Sequence, residues 1–155
     1  MKKEKGFSLI ELLIVVAIIL IIAAIAIPNL LKSKMAANES SAVGSIRTVN
    51  TGLVTYAAGC PNVGFAATLV ELNTGGICAS GTGIIDAVLA GGTKSGYLFP
   101  YAPGAAVGGV VNTYTVNANP ATPGTTGQRR FFTNQTGVIR YNQNAAATVA
   151  DAPLQ

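Results

Sequence analysis

Apolar positions along this chain follow two different patterns, and each predicts its own element. From Leu12 to Ile27 sixteen consecutive residues are apolar, which as a helix extends about 24 Å. Adding Phe7 to Ile10 and Leu30 to Leu31 brings the segment to the length that crosses a bilayer. Between Leu9 and Ile27 only Glu11 breaks the pattern. After Lys32 the run gives way to a stripe. Ala42, Ile46, Val49, Leu53 and Tyr56 follow a 4-3-4-3 spacing, while Ser45, Arg47, Thr48 and Asn50 face elsewhere. An amphipathic helix reaching to about residue 57 is expected, with a sheet to cover its stripe. Pro28 lies between the two regimes. It lacks an N–H and crowds the carbonyl of Ala24, so the helix either ends there or runs on with a kink. Helical spacing resumes at once in "NLLKSKMAANESSAVGSIRTVNTGLVTY", which favours a kinked, continuous helix.

Residues 59–109 hold twelve of the eighteen glycines and read as loop, with short helices near Ala66 to Leu72 and Ile84 to Leu89. Strand patterns come late. "GYLFPYA" puts Tyr97, Phe99 and Tyr101 on one face, and "NTYTVNA" alternates Tyr114, Val116 and Ala118 against polar neighbours. "RRFFTNQTGVIRYN" reads as a hairpin turning near Asn134 to Gly137, and Pro100 pushes its strand toward an edge. The expected fold is therefore α+β, a long N-terminal helix packed on an antiparallel sheet of three or four strands. The tail "NAAATVADAPLQ" is weakly patterned and is expected to be mobile.

Composition narrows the function. At 155 residues there is room for one domain of ordinary size beside the apolar run. The formal charge of +4 draws +2 from Lys2, Lys3 and Lys5 against Glu4, which weakens any case for a nucleic-acid-binding protein. There is no His, so a His/Cys zinc site is excluded and Ser45 or Thr48 has no imidazole to activate it. Glu71 and Asp86 show no pairing, and Arg129 and Arg130, adjacent in a strand, point to opposite faces. No enzyme activity, cofactor or metal is expected. The basic end, Met1 to Lys5, favours the cytoplasmic side, which sends residues 32–155 into an oxidising compartment. Cys60 and Cys78 are then expected to form a disulfide, worth about 3 kcal/mol by loop-closure entropy. They are not a CxxC pair, and nothing nearby would activate a thiol.

A secretory signal peptide would have a shorter apolar core and a small-residue cut beyond it, and "AAIAIPNLL" fits that loosely. The leader "MKKEKG" followed by "FSLIELLIVVAIILIIAAIAIPNL" instead resembles the type IV pilin family, with its class III prepilin leader of G followed by F-[ST]-L-I-E. The resemblance covers about residues 1–56. It implies a leader, residues 1–6, removed by a prepilin peptidase after Gly6, with Phe7 the N-methylated new terminus. Residues 7–31 would be the transmembrane and filament-core helix, and residues 32–155 an extracytoplasmic globular domain. Many pilins carry a Gly about eight residues before the Pro; this chain has Leu20, a better helix former.

Glu11 has two readings. It snorkels to water at the membrane interface, or it pairs with a charge of another subunit. Once Gly6 is gone, the amine of Phe7 lies four residues from Glu11, about 6 Å along a helix. Staggered neighbours could join one copy's carboxylate to another's amine, the role the family gives its matching Glu. The resemblance thus implies a structural subunit that polymerises with itself into a type IV pilus for adhesion, twitching motility or DNA uptake. Its partners would be the prepilin peptidase, an assembly platform in the inner membrane and possible minor pilins. It would sit single-pass in the inner membrane, N-terminus cytoplasmic, before joining an extracellular filament. The alternatives are a type II secretion pseudopilin or a membrane-tethered binding module that does not polymerise. Major pseudopilins carry an acidic calcium loop near the C-terminus, whereas residues 87–150 contain no Asp or Glu.

Overall fold

The computed structural model describes residues 6–78 and 83–154; most of the expected leader, residues 1–5, lies outside the described residues. Helix α1 spans Leu9–Gly59, 51 residues, and contains Pro28 without ending there. The chain divides into two compact units between Lys34 and Met35. In the first unit the large apolar side chains of α1 are exposed all round, and even Val16 keeps 44% of its surface. Among the described residues of that unit nothing folds back on them.

The second unit supplies what the stripe on α1 requires. Ala42, Ile46, Val49, Leu53 and Tyr56 are all fully buried. They join one cluster with Tyr97, Phe99, Tyr114, Val116, Ala118 and Phe131. The elements after α1 are the helices α2 (Glu71–Thr74) and α3 (Ala87–Ala90), followed by eight strands. These are β1 (Thr93–Lys94), β2 (Tyr97–Leu98), β3 (Tyr101–Pro103), β4 (Ala106–Val107), β5 (Val110–Val111), β6 (Tyr114–Pro120), β7 (Arg130–Asn134) and β8 (Arg140–Asn142). The antiparallel sheet runs β1-β2-β6-β7-β8, with β3 also on β6.

Strands β2 and β3 are two pieces of one line. Tyr97 faces Pro120 and Tyr101 faces Val116, the same register on both sides of Pro100. The Asn117 N–H still donates to the Pro100 carbonyl, at 3.0 Å, but Pro100 has no N–H to return. One rung is lost, and β3 lies where only β6 pairs with it. Six assigned strands therefore reduce to the expected three or four plus the two-residue β1. The β7–β8 hairpin is as expected, Phe131 facing Tyr141.

Three expectations are corrected. The short helices begin later than the sequence suggested. Asp86 caps α3 by accepting the Leu89 N–H at 2.9 Å and so sets its start, whereas α2 has no side-chain cap and Glu71 instead holds the preceding turn by accepting the Ala67 N–H at 3.0 Å. A second hairpin, β4–β5, begins inside the segment read as loop and ends just beyond it. Its turn residues Gly108 and Gly109 both have positive φ, 62° and 86°, as a two-residue turn between twisted strands demands. The tail, finally, is pinned rather than mobile. Tyr141 donates to the Ala152 carbonyl and Leu154 to that of Ile139, adding a short bridged segment along β8. Asp151 accepts from the Thr148 backbone and hydroxyl and from Asn142, so polar side chains do what the missing apolar pattern could not.

Cys60, one residue past α1, is disulfide-bonded to Cys78, with Cα atoms 6.2 Å apart, as expected. Beyond it Gly64 has φ 77°, and a Cβ there would run into the Val111 carbonyl. That close approach lets Phe65 donate to Val111 and Val111 to Val63, joining the β4–β5 hairpin to the end of α1. Gly52 allows a second close approach, since a Cβ would stand 2.9 Å from Ile84 and 3.3 Å from Ile85. We expect Gly52→Val to lower the unfolding free energy by about 1–3 kcal/mol through overpacking. Exposed Thr51→Val should change it by under about 0.5 kcal/mol. Thermal melts of the two variants in detergent make the comparison.

Candidate functional site

The first unit opens with Gly6, Phe7 and Ser8 in non-helical, exposed backbone. Helix α1 starts at Leu9 because the chain satisfies its own first turn. The Ser8 N–H donates to Glu11 Oε2 at 2.9 Å, and Ser8 Oγ accepts the Ile10 N–H at 3.4 Å. This is the reciprocal arrangement of a capping box. The S-x-x-E of "FSLIE" carried that signal, which the reading of Glu11 as an assembly charge left unused. Glu11 Oε1 has no hydrogen-bond partner among the described residues. Gly6 and Phe7 thus lie just ahead of the helical turn that holds Glu11, with Phe7 84% exposed. At the other end of the apolar segment Lys32 and Lys34 are exposed, just past Leu31. The helix is long and apolar enough to cross a membrane.

The second unit holds a charged clasp that the sequence reading missed. Glu39 is buried and accepts three N–H groups: Gln128 backbone at 2.8 Å, Arg129 backbone at 3.0 Å and Arg129 Nε at 2.7 Å. Burial alone would raise its carboxyl, but the two backbone N–H groups and the Arg129 guanidinium outweigh that and hold it below the ordinary range. The guanidinium also lies over Phe131, 5.6 Å from the ring centroid. Alongside, Asn38 Nδ2 donates to the Thr126 carbonyl and Tyr97 Oη to that of Arg129. The signal was available: Glu39 continues the spacing of the apolar stripe, and a carboxylate on a buried face requires a partner.

The other candidates have structural partners. Thr48 donates to the Gly44 carbonyl, Glu71 accepts from Tyr56 Oη at 3.3 Å, and Asp86 pairs with Lys94 at 2.8 Å. Arg130 reaches the Gln143 carbonyl. A surface crevice of about 390 Å³ is lined by Pro103, Tyr114, Phe132 and Asn134 among others, without a carboxylate, a cysteine or a cation. Among the described residues no three His, Cys, Asp or Glu side chains come together as metal ligands do.

An exposed apolar helix with a carboxylate in its first turn suits an apolar surrounding better than water. Residues 1–27 match the family described as the prokaryotic N-terminal methylation motif. The chain is similar to the type IV wide pilus major component PilA4 of Thermus thermophilus, 60% identical over 40 residues, 26% of this chain and 30% of that protein. It is similar to the type IV major pilin protein PilA of Myxococcus xanthus, 49% identical over 49 residues, 32% and 22% of the two chains. It also resembles the type II secretion system core protein G of Vibrio cholerae, 39% identical over 56 residues, 36% and 38%. The chain thus spans less than two-fifths of the length of these relatives. No solved structure matches it. These matches give the chain an N-terminal methylation motif and a partial likeness to type IV pilins.

The Glu39 clasp generates a prediction about acid. Its folded-state pKa is lowered, so its stabilisation is complete above the unfolded-state value of about 4.5 and is lost as pH falls through the folded value. We expect Glu39→Gln to cost about 2–3 kcal/mol at neutral pH, as for a lost hydrogen-bonded charge. Denaturant melts from pH 7 to pH 3 should show the parent and the variant converging as the medium becomes acid.

Proposed function

We propose that this chain is a structural subunit, not an enzyme, that polymerises through α1 into a type IV pilus. The observation that carries the reading is an exposed segment of α1, apolar all round from Leu12 to Ile27, whose single carboxylate, Glu11, lies in the first turn of the helix, four residues past Phe7. A prepilin peptidase would cut after Gly6 and leave Phe7 as the N-methylated terminus. The mature subunit would wait in the inner membrane, residues 7–31 spanning it, and then enter an extracellular filament. There Glu11 of one copy meets the Phe7 amine of another, so that neither charge is left alone in an apolar bundle. Pro28 gives the helix a kink that neighbouring copies accommodate in packing. Adhesion, twitching motility and DNA uptake are the uses such a filament would serve.

A pseudopilin role is the second reading, favoured by the likeness to the secretion-system protein. Against it stands the absence of any Asp or Glu in residues 87–150, where a calcium loop would need carboxylate oxygens. The Asp151 carboxylate, just beyond, is engaged by Thr148 and Asn142.

The capping box makes the test selective. Gln at position 11 can still accept the Ser8 N–H, so Glu11→Gln removes the charge and keeps the helix start. Removing one partner of a buried ion pair costs about 3–5 kcal/mol, so most assembly should be lost while membrane level and cleavage stay normal. The measurement is the ratio of sheared filament to membrane-bound mature subunit, at equal expression. An unchanged ratio would return Glu11 to an interfacial role. Mass spectrometry of the sheared material should find an N-methylated Phe7 terminus; a start at Met1, or after Ala26, would sink the processing assignment.

A further inference from the structure

Glu11 and Lys32 are 21 residues apart in α1 (32 − 11) with no charge between them, a rise of about 31 Å at 1.5 Å per residue. That equals the hydrocarbon thickness of a typical bilayer, about 30 Å. Beyond this interval Lys32 and Lys34 are both exposed, and neither makes an ion pair among the described residues. The next carboxylate along the chain, Glu39, is already held by Arg129. Two residues apart on a helix, the lysines leave it about 200° from each other. They cannot both face one neighbouring protein or one nucleic-acid strand, but a lipid surface surrounds the helix and meets both.

We propose that Lys32 and Lys34 are a lipid-headgroup anchor, bound to anionic phosphates of the outer leaflet, that fixes the depth of the subunit in the membrane before assembly. The proposal rests on the membrane-spanning reading given above. Long lysine stems lie along apolar surface while their ammonium groups reach the headgroups, and each basic residue near an anionic surface strengthens the attachment several-fold. The anchor works in one direction. Cleavage after Gly6 would remove Lys2, Lys3, Glu4 and Lys5 from the cytoplasmic end, leaving one amine and Glu11, which offset each other. Sinking inward would then drag two ammonium groups into hydrocarbon, whereas moving outward carries in only a neutralised pair.

The chain has no Trp, so Ile25→Trp gives a single indole reporter on the outward side of the span. The full mature chain carrying it is reconstituted in phosphatidylglycerol vesicles and in phosphatidylcholine vesicles, and its depth is read by brominated-lipid quenching. In phosphatidylglycerol, adding Lys32→Gln with Lys34→Gln should shift the indole by about 3–5 Å, somewhat under one helical turn. Lys32→Arg with Lys34→Arg should leave it in place, and in phosphatidylcholine the Gln pair should have little effect. An unmoved indole in phosphatidylglycerol, or an equal shift in both lipids, overturns the anchor. Alkaline carbonate washing separates the two levels. A chain stripped from the vesicles would refute the membrane-spanning reading, and the anchor with it, whereas a retained chain with unmoved depth would refute the anchor alone.

Discussion

The constraint on which the molecule depends is that α1 carries two apolar surfaces of different shape. Its first half is apolar in every direction, so no sheet could cover it; only a medium that surrounds the helix can. Its second half confines its apolar residues to one stripe, which a single sheet does cover, from Ala42 to Tyr56. The two halves differ in composition, not in backbone. Pro28 is tolerated inside α1, and the residues around it are good helix formers. The family's N-terminal motif falls in the first half, residues 1–27.

Within the second unit, polar atoms fix how the sheet lies on the helix. Four tyrosines put their rings in or beside the apolar cluster and find a partner for each hydroxyl. Tyr56 donates to Glu71, Tyr97 to the Arg129 carbonyl, Tyr101 to the Ala66 carbonyl and Tyr114 to Asn50. Asn50 in turn donates to Thr133 on β7 at 3.0 Å. The apolar stripe supplies non-directional burial, and these bonds select one register among the several that burial alone would allow. Glu39 does the same for residues 126–129, a loop with little apolar content of its own.

What could be read from the sequence follows from how local each signal was. The stripe, the strands at Tyr114 to Ala118 and the β7–β8 hairpin are periodic over several residues, and they were legible. Pro100 was legible as a disruption, though the register passing through it depends on β6, which lies elsewhere in the chain. The tail was misread because its hold comes from Asp151, Asn142 and Arg140 bonding across a short loop, which leaves no periodic trace. The β4–β5 hairpin was passed over although "AVGGVV" contains the turn signal, because the many glycines before it made the whole segment look like loop. In the candidate site Gly6, Phe7 and Glu11 were legible as a motif. The Glu39 clasp needed a partner 90 residues away.

The scarcity of carboxylates gives the electrostatics their order. From Phe7 onward there are five, Glu11, Glu39, Glu71, Asp86 and Asp151. Four of them lie in the second unit, and each is held by donors of its own subunit: two ion pairs, a helix cap and a loop cap among them. Glu11 differs in place: it alone lies in the first unit, where one oxygen closes the capping box and the other has no partner among the described residues. A carboxylate with one oxygen fixed is already oriented, so meeting an external amine requires little further ordering of its side chain. The device that starts the helix also aims the one carboxylate that stands at the head of the apolar segment.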